Sequence, residues 1–430
     1  MRVGVIGAGY VGLVSGACLA ELGHDVVCAD RDAAKVADLQ QGRVAIFEPG
    51  LEALVAGNAA AGRLTFTADA TGAVRDCGIA MIAVGTPAGA AGDTDLSFVT
   101  DAARTIAPAL SADAIVVLKS TVPVGTGDDV EAIVGRRVVS NPEFLREGSA
   151  VADFMAPDRI VVGANDPDAG NAVASLYLRL TGRRVPLVKM ARRSAELAKY
   201  AANALLATRI TFANEIADVS EALGADALDV LRAVGLDARL GSAFLKPGPG
   251  IGGSCFPKDT TSLAGQARAA GSPAALVETI VAANNARKQK MLAKVVAAAG
   301  GSVRGKTIAV LGLTFKANTD DLRESPALPL IAGLTAAGAH VRAYDPFGMA
   351  NAKDLLPSSA LAADAYDAAQ GAHAIVIVTE WPEFAGLDLA RLRGLVADPV
   401  IVDLRNLIDP AALVRHGFAY SGVGRSGRPS

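Results

Sequence analysis

Cysteine and histidine are scarce in this sequence, since each occurs only four times in 430 residues. The cysteines (Cys18, Cys28, Cys77 and Cys255) show no CxxC spacing, and the histidines are widely scattered. Clustered ligands at short spacings are what a protein zinc site requires, so we expect no metal. Thiols without a pairing pattern are typical of reduced proteins, which indicates a cytoplasmic location.

The chain also lacks an excess of one charge and any long apolar run. It has 41 basic and 44 acidic residues, and this balance argues against a nucleic-acid-binding surface, which would need a basic stripe. No stretch approaches the roughly 18 apolar residues of a membrane span, so we expect no membrane association. The opening MRVGVIGAGYVGLVSGACLAELG could be taken for a signal peptide, but its glycines interrupt the apolar run and fall at motif spacing.

Short apolar runs alternate with helical patterns over about the first 190 residues. The runs DVVCAD, IAMIAVGTP, AIVVLKSTVP and DRIVVG are among them, and the alternation predicts a parallel sheet covered on both faces. A long helical stretch follows from Arg192 to about Leu223, and GKTIAVLGLTF begins a second series of strands. We therefore predict an α/β protein with two doubly wound (Rossmann-like) parallel-sheet domains joined by a central helical domain.

The length supports two or three domains. The predicted boundaries are 1–191 for the N-terminal domain, 192–300 for the helical domain, 301–420 for the C-terminal domain and 421–430 for a tail. The segments ELGHDVVCAD and AAGAHVRAYD share one scheme, a helix end, a glycine and a strand that closes on an aspartate. The second of these, ending at Asp345, lacks a glycine fingerprint and offers Lys316 instead, so we expect the C-terminal domain to bind a different ligand.

Gly7, Gly9 and Gly12 form the pattern G-x-G-x-x-G between the first strand and the first helix. The first glycine makes the tight turn, the second lets the backbone approach a pyrophosphate, and the third lets the helix pack on the strand. Asp30 ends the second strand, where a carboxylate binds a ribose and repels the 2′-phosphate of NADP. The pattern predicts an NAD site, although Arg31 beside the acid leaves NADP open.

One cysteine differs from the other three in its surroundings. Cys18, Cys28 and Cys77 lie in or beside apolar elements, as is typical of small core residues. Cys255 lies in GPGIGGSCFPKD, behind five glycines and prolines and ahead of Lys258. A thiol on a flexible, donor-rich loop near a lysine is placed where a thiolate is stabilised, so Cys255 is a candidate nucleophile, and a buried loop thiol is the alternative.

Polar residues interrupt the apolar patterns at strand ends, where α/β sheets bind ligands. KSTVPVGT places Thr121 after one strand, and NPEFLREG places Glu143 and Glu147 after another. Lys199 and Asn203 on the long helix are four residues apart and share a face. Taken alone, Lys199 is predicted to be a solvated surface lysine.

Seven motifs make the chain similar to the nucleotide-sugar dehydrogenases of the UDP-glucose/GDP-mannose dehydrogenase family. They are, in order, GAGYVGL, VGTP, KSTVPVGT, NPEFLREGSAV, DRIVVG, GPGIGGSCFPKD and GLTFKANTDDLRESP, and the likeness runs to about Asp409. The resemblance implies an NAD-dependent four-electron oxidation of UDP-glucose to UDP-glucuronate, with two NADH formed per sugar.

The resemblance also implies roles for the candidate catalytic residues. Cys255 matches the family's nucleophile, which holds the aldehyde as a thiohemiacetal and then becomes acylated as a thioester. Lys199 and Asn203 match the donors that stabilise an oxyanion, and Asp259 matches a carboxylate that assists proton transfer with Lys199. Residues implicated in positioning water and in base chemistry are matched by Thr121, Glu143 and Glu147.

Further residues match the family's binding positions. Those for NAD are matched by Gly7, Gly9, Tyr10, Val11, Gly12, Asp30, Lys35, Thr86, Thr121, Glu147, Lys258 and Arg323. Those for the UDP-sugar are matched by Phe144, Leu145, Glu147, Lys199, Asn203, Phe244, Leu245, Lys246, Gly248, Gly252, Lys316 and Arg405. Arg239 matches an arginine that reaches the neighbouring subunit's site, which implies a homodimer formed through the long helix.

Three other functions stay open at this point. GDP-mannose dehydrogenases share NPEFLRE and the cysteine chemistry, but the continuation GSAVADFMAPDRIVVG is closer to the branch that acts on UDP-glucose. Dehydrogenases of UDP-N-acetylhexosamines carry a different run at NPEF. A non-catalytic NAD-binding regulator would keep the glycines and Asp30, but it would have little use for Cys255, Lys199, Asn203 and Asp259 together.

Overall fold

The computed structural model describes residues 1–89 and 92–425. They form two compact units, of which the first comprises Met1–Ala202 and Gly265–Pro273. The second comprises Asn203–Ala264 and the described residues from Ala274 onward. The division between the units falls inside a long helix, and the three domains expected from the sequence remain a proposal.

An eight-stranded sheet forms the centre of the first unit. Its strands are β1 (Arg2–Ile6), β2 (Asp25–Ala29), β3 (Leu64–Thr67), β4 (Ile79–Ile82), β5 (Ile115–Leu118), β6 (Val138–Ser140), β7 (Ile160–Ala164) and β8 (Leu187–Met190). Their spatial order is β3-β2-β1-β4-β5-β6-β7-β8. Neighbouring strands are parallel except β6 and β7, which are antiparallel, so the doubly wound sheet is confirmed and one pair departs from the expected parallel arrangement.

Both faces of this sheet are covered. Along β4, Ile79 and Met81 belong to one hydrophobic cluster, whereas Ala80 and Ile82 belong to another. This alternation explains why the central strands are apolar at every position. The helices are α1 (Tyr10–Glu21), α2 (Ala33–Gln40), α3 (Leu51–Ala60), α4 (Ala70–Val74), α5 (Ser97–Ile106), α6 (Thr126–Val134), α7 (Ala150–Met155), α8 (Pro167–Ser175) and α9 (Leu178–Thr181), with a 3-10 turn at Ala107–Ala109.

The strand order determines where a ligand can bind in this unit. From β1 the chain runs outward through β2 to β3, and it then returns to β4 on the other side of β1. Crossovers therefore leave the β1–β4 pair in opposite directions. The crevice outside the carboxyl ends of these two strands is the place where doubly wound sheets bind nucleotides.

The chain between the two sheets contains helices. The helix predicted from Arg192 to about Leu223 is confirmed as α10 (Arg192–Leu223), which has 32 residues. After it come α11 (Ala227–Gly235), α12 (Phe256–Ala269) and α13 (Ala275–Ala298). α12 begins inside GPGIGGSCFPKD, the segment predicted to be a loop. No helix in the described ranges is both long enough and apolar enough to cross a membrane.

The second sheet has five strands, all parallel, in the order β10-β9-β11-β12-β13. These are β9 (Thr307–Leu311), β10 (His340–Tyr344), β11 (Ala374–Ile377), β12 (Val400–Asp403) and β13 (Ala419–Gly422). Its helices are α14 (Ala327–Ala336), α15 (Met349–Ala352), α16 (Ala365–Ala369), α17 (Pro382–Ala385), α18 (Leu389–Leu395) and α19 (Pro410–Arg415), with a 3-10 turn at Ser358–Ala360.

Residues 421–425 are part of this second unit. β13 extends to Gly422, the backbone N–H of Gly424 donates to the Glu221 carboxylate at 2.6 Å, and Arg425 pairs with Asp226 at 2.8 Å. The predicted tail, 421–430, is therefore wrong for these residues, because they complete the edge of the sheet. Its remainder, 426–430, lies outside the described residues.

Candidate functional site

The glycine turn of the first unit has the geometry of a pyrophosphate cradle. Gly7 has a φ of 99°, a conformation that favours glycine. A Cβ added to Gly12 would overlap the Gly7 carbonyl oxygen, whereas a Cβ on Gly9 would meet no atom within 4 Å. The space over Gly9 is therefore open to a ligand, and the N-terminus of α1 beside it favours negative charge.

Asp30, predicted to bind a ribose, is held in place by the same turn. Its carboxylate accepts the backbone N–H of Ala8 at 2.9 Å and that of Asp32 at 3.0 Å, and Lys35 lies 3.1 Å from it. Burial alone would raise the pKa of Asp30, but these backbone hydrogen bonds and Lys35 together lower it, so the group stays ionised. The Arg31 guanidinium lies over the Phe98 ring, 4.8 Å from its centroid.

A substitution of Asp30 should change cofactor selectivity. In Asp30→Asn, we expect kcat/KM for NAD to fall by about 10- to 100-fold, because a charge-assisted hydrogen bond is worth roughly 1.5–3 kcal/mol. Activity with NADP should fall less or rise, since the repelling charge is gone. Steady-state kinetics with both cofactors measure the ratio, and Asp38→Asn on α2 is the control. An unchanged NAD-to-NADP ratio would show that Asp30 does not contact the ribose.

Glu48, which the sequence reasoning missed, joins this turn to a second candidate segment. Its buried carboxylate accepts the Tyr10 hydroxyl, and it also accepts the backbone N–H groups of Gly148 and Ala150, each at 2.7 Å. Burial and the bond to Glu48 raise the pKa of Tyr10, so this tyrosine stays protonated and donates. One carboxylate thus fixes both the start of α1 and the segment that carries Glu147.

Lys199 and Glu143 form a buried ion pair in the first unit. The Lys199 side chain is 5% exposed and the Glu143 side chain 6%, and Nζ lies 3.0 Å from Oε1. The other Glu143 oxygen accepts the Leu145 backbone N–H at 2.6 Å, and Lys199 lies 5.4 Å from the Phe144 ring centroid. The expectation that Lys199 is a solvated surface residue is wrong, since its charge is held inside the protein at the carboxylate.

A second buried lysine lies near this pair. Lys119 donates to Asn141 Oδ1 at 3.1 Å and to the Tyr177 hydroxyl at 3.3 Å. Burial lowers the pKa of Lys119 to about 8, and the charge of Glu143 opposes that effect. Lys119 belongs to the quoted motif KSTVPVGT, but only Thr121 was selected from it, because a lysine at the end of an apolar strand gives no signal of its own.

Glu196 fixes the loop that follows β5. It accepts the backbone N–H groups of Gly125 at 2.7 Å and Gly127 at 2.9 Å, and the Ser140 hydroxyl at 3.1 Å. Burial raises the pKa of Glu196, although these hydrogen bonds act in the opposite direction. The loop that contains Thr121 is thereby tied to α10, three residues before Lys199.

The candidate nucleophile of the second unit lies at the start of a helix. Cys255 is exposed, whereas Cys18, Cys28 and Cys77 are buried, as the sequence predicts. The Cys255 carbonyl accepts the Asp259 backbone N–H at 2.8 Å, so the thiol stands directly before α12. The N-terminus of a helix stabilises a thiolate. The described residues contain no group of three or more His, Cys, Asp or Glu side chains arranged for a metal ion.

Asp259 lies one turn below the thiol on α12. Its side chain is buried, with one oxygen 2.6 Å from Lys258 Nζ and the other accepting the Asn203 amide at 2.6 Å. Asn203 is itself buried. Lys258, matched above to an NAD position, is here the partner of Asp259. A fixed carboxylate, an amide and an ammonium group therefore lie beside the thiol-bearing end of α12.

Several residues matched to the UDP-sugar lie in or beside the segment before Cys255. Phe244 has a φ of 60°, and its ring centroid lies 6.2 Å from that of Phe256. A Cβ on Gly252 would lie 2.9 Å from the Phe315 Cβ, so only glycine fits there. Arg405 donates to the Phe315 carbonyl at 2.8 Å. The Phe315–Lys316 segment and Arg405 are thus neighbours of the thiol segment, as a shared binding site requires.

Other residues that match the family's binding positions make no described contact with the residues around Cys255. Arg239 has an 88% exposed side chain that pairs with Asp237 at 2.7 Å, and Lys246 is exposed. The Arg323 side chain pairs with Asp321 at 2.7 Å, although its carbonyl accepts the Gly253 N–H at 2.9 Å. In the first unit Val11, Thr86 and Thr121 are partly exposed beside the ends of β1, β4 and β5. The roles of all these residues remain predictions.

Asp345, which directly follows β10, differs from Asp30 in its hydrogen bonds. Asp345 is fully buried, and its oxygens accept the backbone N–H groups of Leu313, Thr314, Phe347 and Gly348. The Trp381 indole N–H also donates to it. Unlike Asp30, this carboxylate has its hydrogen-bonding capacity filled by the protein, so it has none left for a ribose.

The chain is similar along its whole length to one group of enzymes. Residues 1–181 match the NAD binding domain, 193–286 the central domain and 309–410 the UDP binding domain of the UDP-glucose/GDP-mannose dehydrogenase family. A UDP-glucose 6-dehydrogenase of Rhizobium meliloti (strain 1021) is 53% identical, with 99% of this chain and 100% of the relative covered. The corresponding values for UDP-glucose 6-dehydrogenase TuaD of Bacillus subtilis (strain 168) are 45%, 99% and 93%. The solved structure of a UDP-glucose dehydrogenase from the archaeon Pyrobaculum islandicum has a TM-score of 0.91 at 38% identity, with 99% of this chain and 98% of that chain covered.

Proposed function

Because the chain belongs to the UDP-glucose/GDP-mannose dehydrogenase family, we propose that it oxidises UDP-glucose to UDP-glucuronate with NAD. The resemblance found in the seven motifs is thereby confirmed. The cofactor is NAD, which agrees with the open space over Gly9 and the ionised Asp30. The curated relatives quoted above are named for UDP-glucose, so the GDP-mannose alternative is not favoured.

The reaction removes four electrons from one carbon. Loss of a hydride and a proton converts the CH2OH group to an aldehyde, and NAD, when bound, accepts that hydride and a second one later. The Cys255 thiolate adds to the aldehyde carbon, and loss of the second hydride from the thiohemiacetal gives a thioester. Water cleaves the C–S bond, which releases the carboxylate and returns the thiolate. The sum is one alcohol, one water and two NAD giving one carboxylate, two NADH and three protons.

We propose for the charged and amide groups the supporting roles that the family resemblance implies. Lys199 and Asn203 are cationic and amide donors suited to stabilise the oxyanion of the thiohemiacetal and of the thioester hydrolysis step. Asp259, fixed by Lys258 and Asn203, is suited to accept or return a proton through water. Glu143 and Glu147 are the candidates for activating the hydrolytic water. Lys316 and Arg405 supply positive charge for the diphosphate.

The observation that carries this function is an exposed thiol at the N-terminus of α12 above the buried Asp259–Asn203 pair. The test measures total NADH at completion with limiting UDP-glucose and excess NAD. We expect two NADH per sugar. One NADH per sugar would mean a simple alcohol oxidation and would refute the thioester route. No NADH with UDP-glucose, but two with GDP-mannose, would move the substrate to the sister branch.

A homodimer through α10 is part of the proposal. Leu205, Phe212 and Val219 are spaced seven residues apart on this helix, and each exposes between 44% and 64% of its surface. Together with Leu223 at 79%, they form an apolar stripe that a second copy of the chain would cover. The exposed Arg239 would then be free to reach the neighbouring site, as the family resemblance implies.

Charges on this stripe should separate the subunits. We expect Leu205→Glu with Phe212→Glu to change the mass measured by light scattering from that of a dimer to that of a monomer at micromolar concentration. The reason is that two buried carboxylates per subunit would be unpaired in the interface. Leu178→Glu, which places the same charge at an exposed leucine of α9 outside the stripe, is the control and should stay dimeric. A monomeric parent protein, or a variant that stays dimeric, would contradict the proposed interface.

We propose the cytoplasm as the compartment. A catalytic thiol must stay reduced, and exposed cysteines persist as thiols in reducing compartments. The proposed reaction also requires UDP-glucose and NAD in the same compartment as the enzyme. The exposed Cys255 thus supports the location expected from the sequence.

A further inference from the structure

Side chains from two helices of the second unit form hydrogen bonds with the backbone of the segment before Cys255. Asn214 of α10 accepts the Gly248 N–H at 2.8 Å, and Arg287 of α13 donates from Nε to the Gly248 carbonyl at 3.0 Å. Asn284 of α13 bonds Ile251, three residues further on. The three side chains are at least 91% buried, so these contacts are shielded from water.

Asn284 binds both polar groups of one residue. Its Oδ1 accepts the Ile251 N–H at 2.7 Å, and its Nδ2 donates to the Ile251 carbonyl at 3.1 Å. Only a side-chain amide offers an acceptor and a donor in this arrangement, because a carboxylate cannot donate. Gly250 has a φ of 131°, a conformation that favours glycine, and a Cβ there would make a tight contact of 3.2 Å with Oδ1.

Arg287 connects the same segment to α10. Its guanidinium pairs with Asp218 of that helix while Nε holds the Gly248 carbonyl. Gly248 is among the residues matched to the UDP-sugar, and Cys255 follows seven residues later. Beyond Ile251, the Gly253 N–H is bonded to the Arg323 carbonyl. Hydrogen bonds therefore hold the backbone before α12 at Gly248, Ile251 and Gly253.

We propose that Asn284 and Arg287 are positioning residues for Cys255, which set the course of residues 248–253 and so the place of the sulfur atom. Their importance for catalysis rests on the proposed function, whereas their effect on the thiol does not. A role limited to satisfying buried backbone groups would affect stability alone. Positioning instead predicts altered reactivity of the thiol in folded protein, since a shift of about 1 Å in reacting geometry can lower rates by about 10²-fold.

The decisive variant is Asn284→Asp, which keeps the shape and the acceptor but loses the donor. Its neighbour Asn285 is exposed on the same helix, so Asn285→Asp is a matched control. We expect Asn284→Asp to change the iodoacetamide alkylation rate of Cys255 at least about threefold, and to lower kcat by about 10- to 100-fold. The control should match the parent protein in both readouts. Alkylation is followed by mass spectrometry of the peptide that contains Cys255, without substrate or NAD.

A second variant decides the result if the first does not fold. Arg287→Lys keeps a positive charge for Asp218 but loses the Nε donor to Gly248, and we expect the same two changes from it. The proposal is overturned if the folded variants alkylate and turn over at the parent rates with only a lowered Tm. Failure of the parent protein to form two NADH per UDP-glucose would refute the proposed function, but the alkylation rates would still decide the positioning role.

Discussion

Replacement of Cys255 by serine should lower kcat at least about 10³-fold, the largest effect of any single substitution considered for this protein. A hydroxyl is not ionised near neutral pH, and the N-terminus of α12 that stabilises a thiolate cannot activate it enough to trap an aldehyde. An ester, if formed, would also be cleaved more slowly than a thioester. NADH absorbance under saturating UDP-glucose and NAD measures the loss.

A matched control separates this effect from the loss of any cysteine. Cys77 is buried, and its sulfur donates to the Ala73 carbonyl at 3.0 Å, a bond that a serine hydroxyl can also make. We expect Cys77→Ser to keep kcat within about threefold of the parent value, as for a substitution remote from the chemistry. Cys255→Ser with parent activity would refute covalent catalysis. It would be the behaviour of an enzyme that oxidises the sugar without holding the aldehyde.

Replacement of Lys199 by methionine should damage both activity and stability. Loss of a preorganised cationic donor to an oxyanion lowers kcat by about 10²- to 10³-fold. The same change leaves Glu143 buried without its cation, and breaking a buried pair at one partner costs about 3–5 kcal/mol of unfolding free energy. Initial rates and urea unfolding measure the two losses separately.

The double variant Lys199→Met with Glu143→Gln distinguishes the two losses. We expect it to recover most of the unfolding free energy, because neither side chain is charged, and to be at least as inactive as Lys199→Met, because a cationic donor and a candidate base are both missing. Lys189→Met, at an exposed position, is the control and should change neither quantity. If the double variant regained activity with stability, Lys199 would act only by neutralising Glu143, and its proposed oxyanion role would be wrong.

The strands that the sequence did not reveal share a position in the fold. The apolar runs in the sequence did not predict β3, β8 or β13. All three lie at an edge of a sheet, where a strand pairs on one side only. β8 is exposed or partly exposed at every residue, so it has no continuous apolar run. Edge strands carry a weaker hydrophobic signal for this physical reason.

The site was predictable where its motifs are local, and less so where distant residues meet. The glycine turn, Asp30, Cys255 and Asp259 lie in short motifs with a recognisable purpose. Residues such as Glu48, Glu196 and Asn284 act on backbone groups far away in the sequence, and a single polar residue in a helix or loop does not reveal its partner. For Asn284, the signal that could have pointed to it is a polar residue at a buried position of α13, in line with the apolar Ile280 and Met291.

Several predicted roles depended on charge environments that the sequence does not give. The same residue type can be solvated or buried, and Lys199 proved to be buried beside Glu143. Lys258 was matched to NAD, yet its ammonium group lies 2.6 Å from Asp259. Composition and spacing identify which groups are present. Only the fold decides which of them compensate each other's charge.

Trapping the acyl-enzyme tests whether the sugar carbon is held on Cys255 between the two oxidations and until hydrolysis. The parent protein is mixed with UDP-glucose and NAD, quenched in acid within one turnover, digested and analysed by mass spectrometry. We expect a UDP-glucuronyl group on the peptide that contains Cys255. Hydroxylamine should remove this group, and it should be absent in Cys255→Ser. Two NADH per sugar with no adduct on this peptide at any quench time would contradict the retention of the sugar carbon on Cys255.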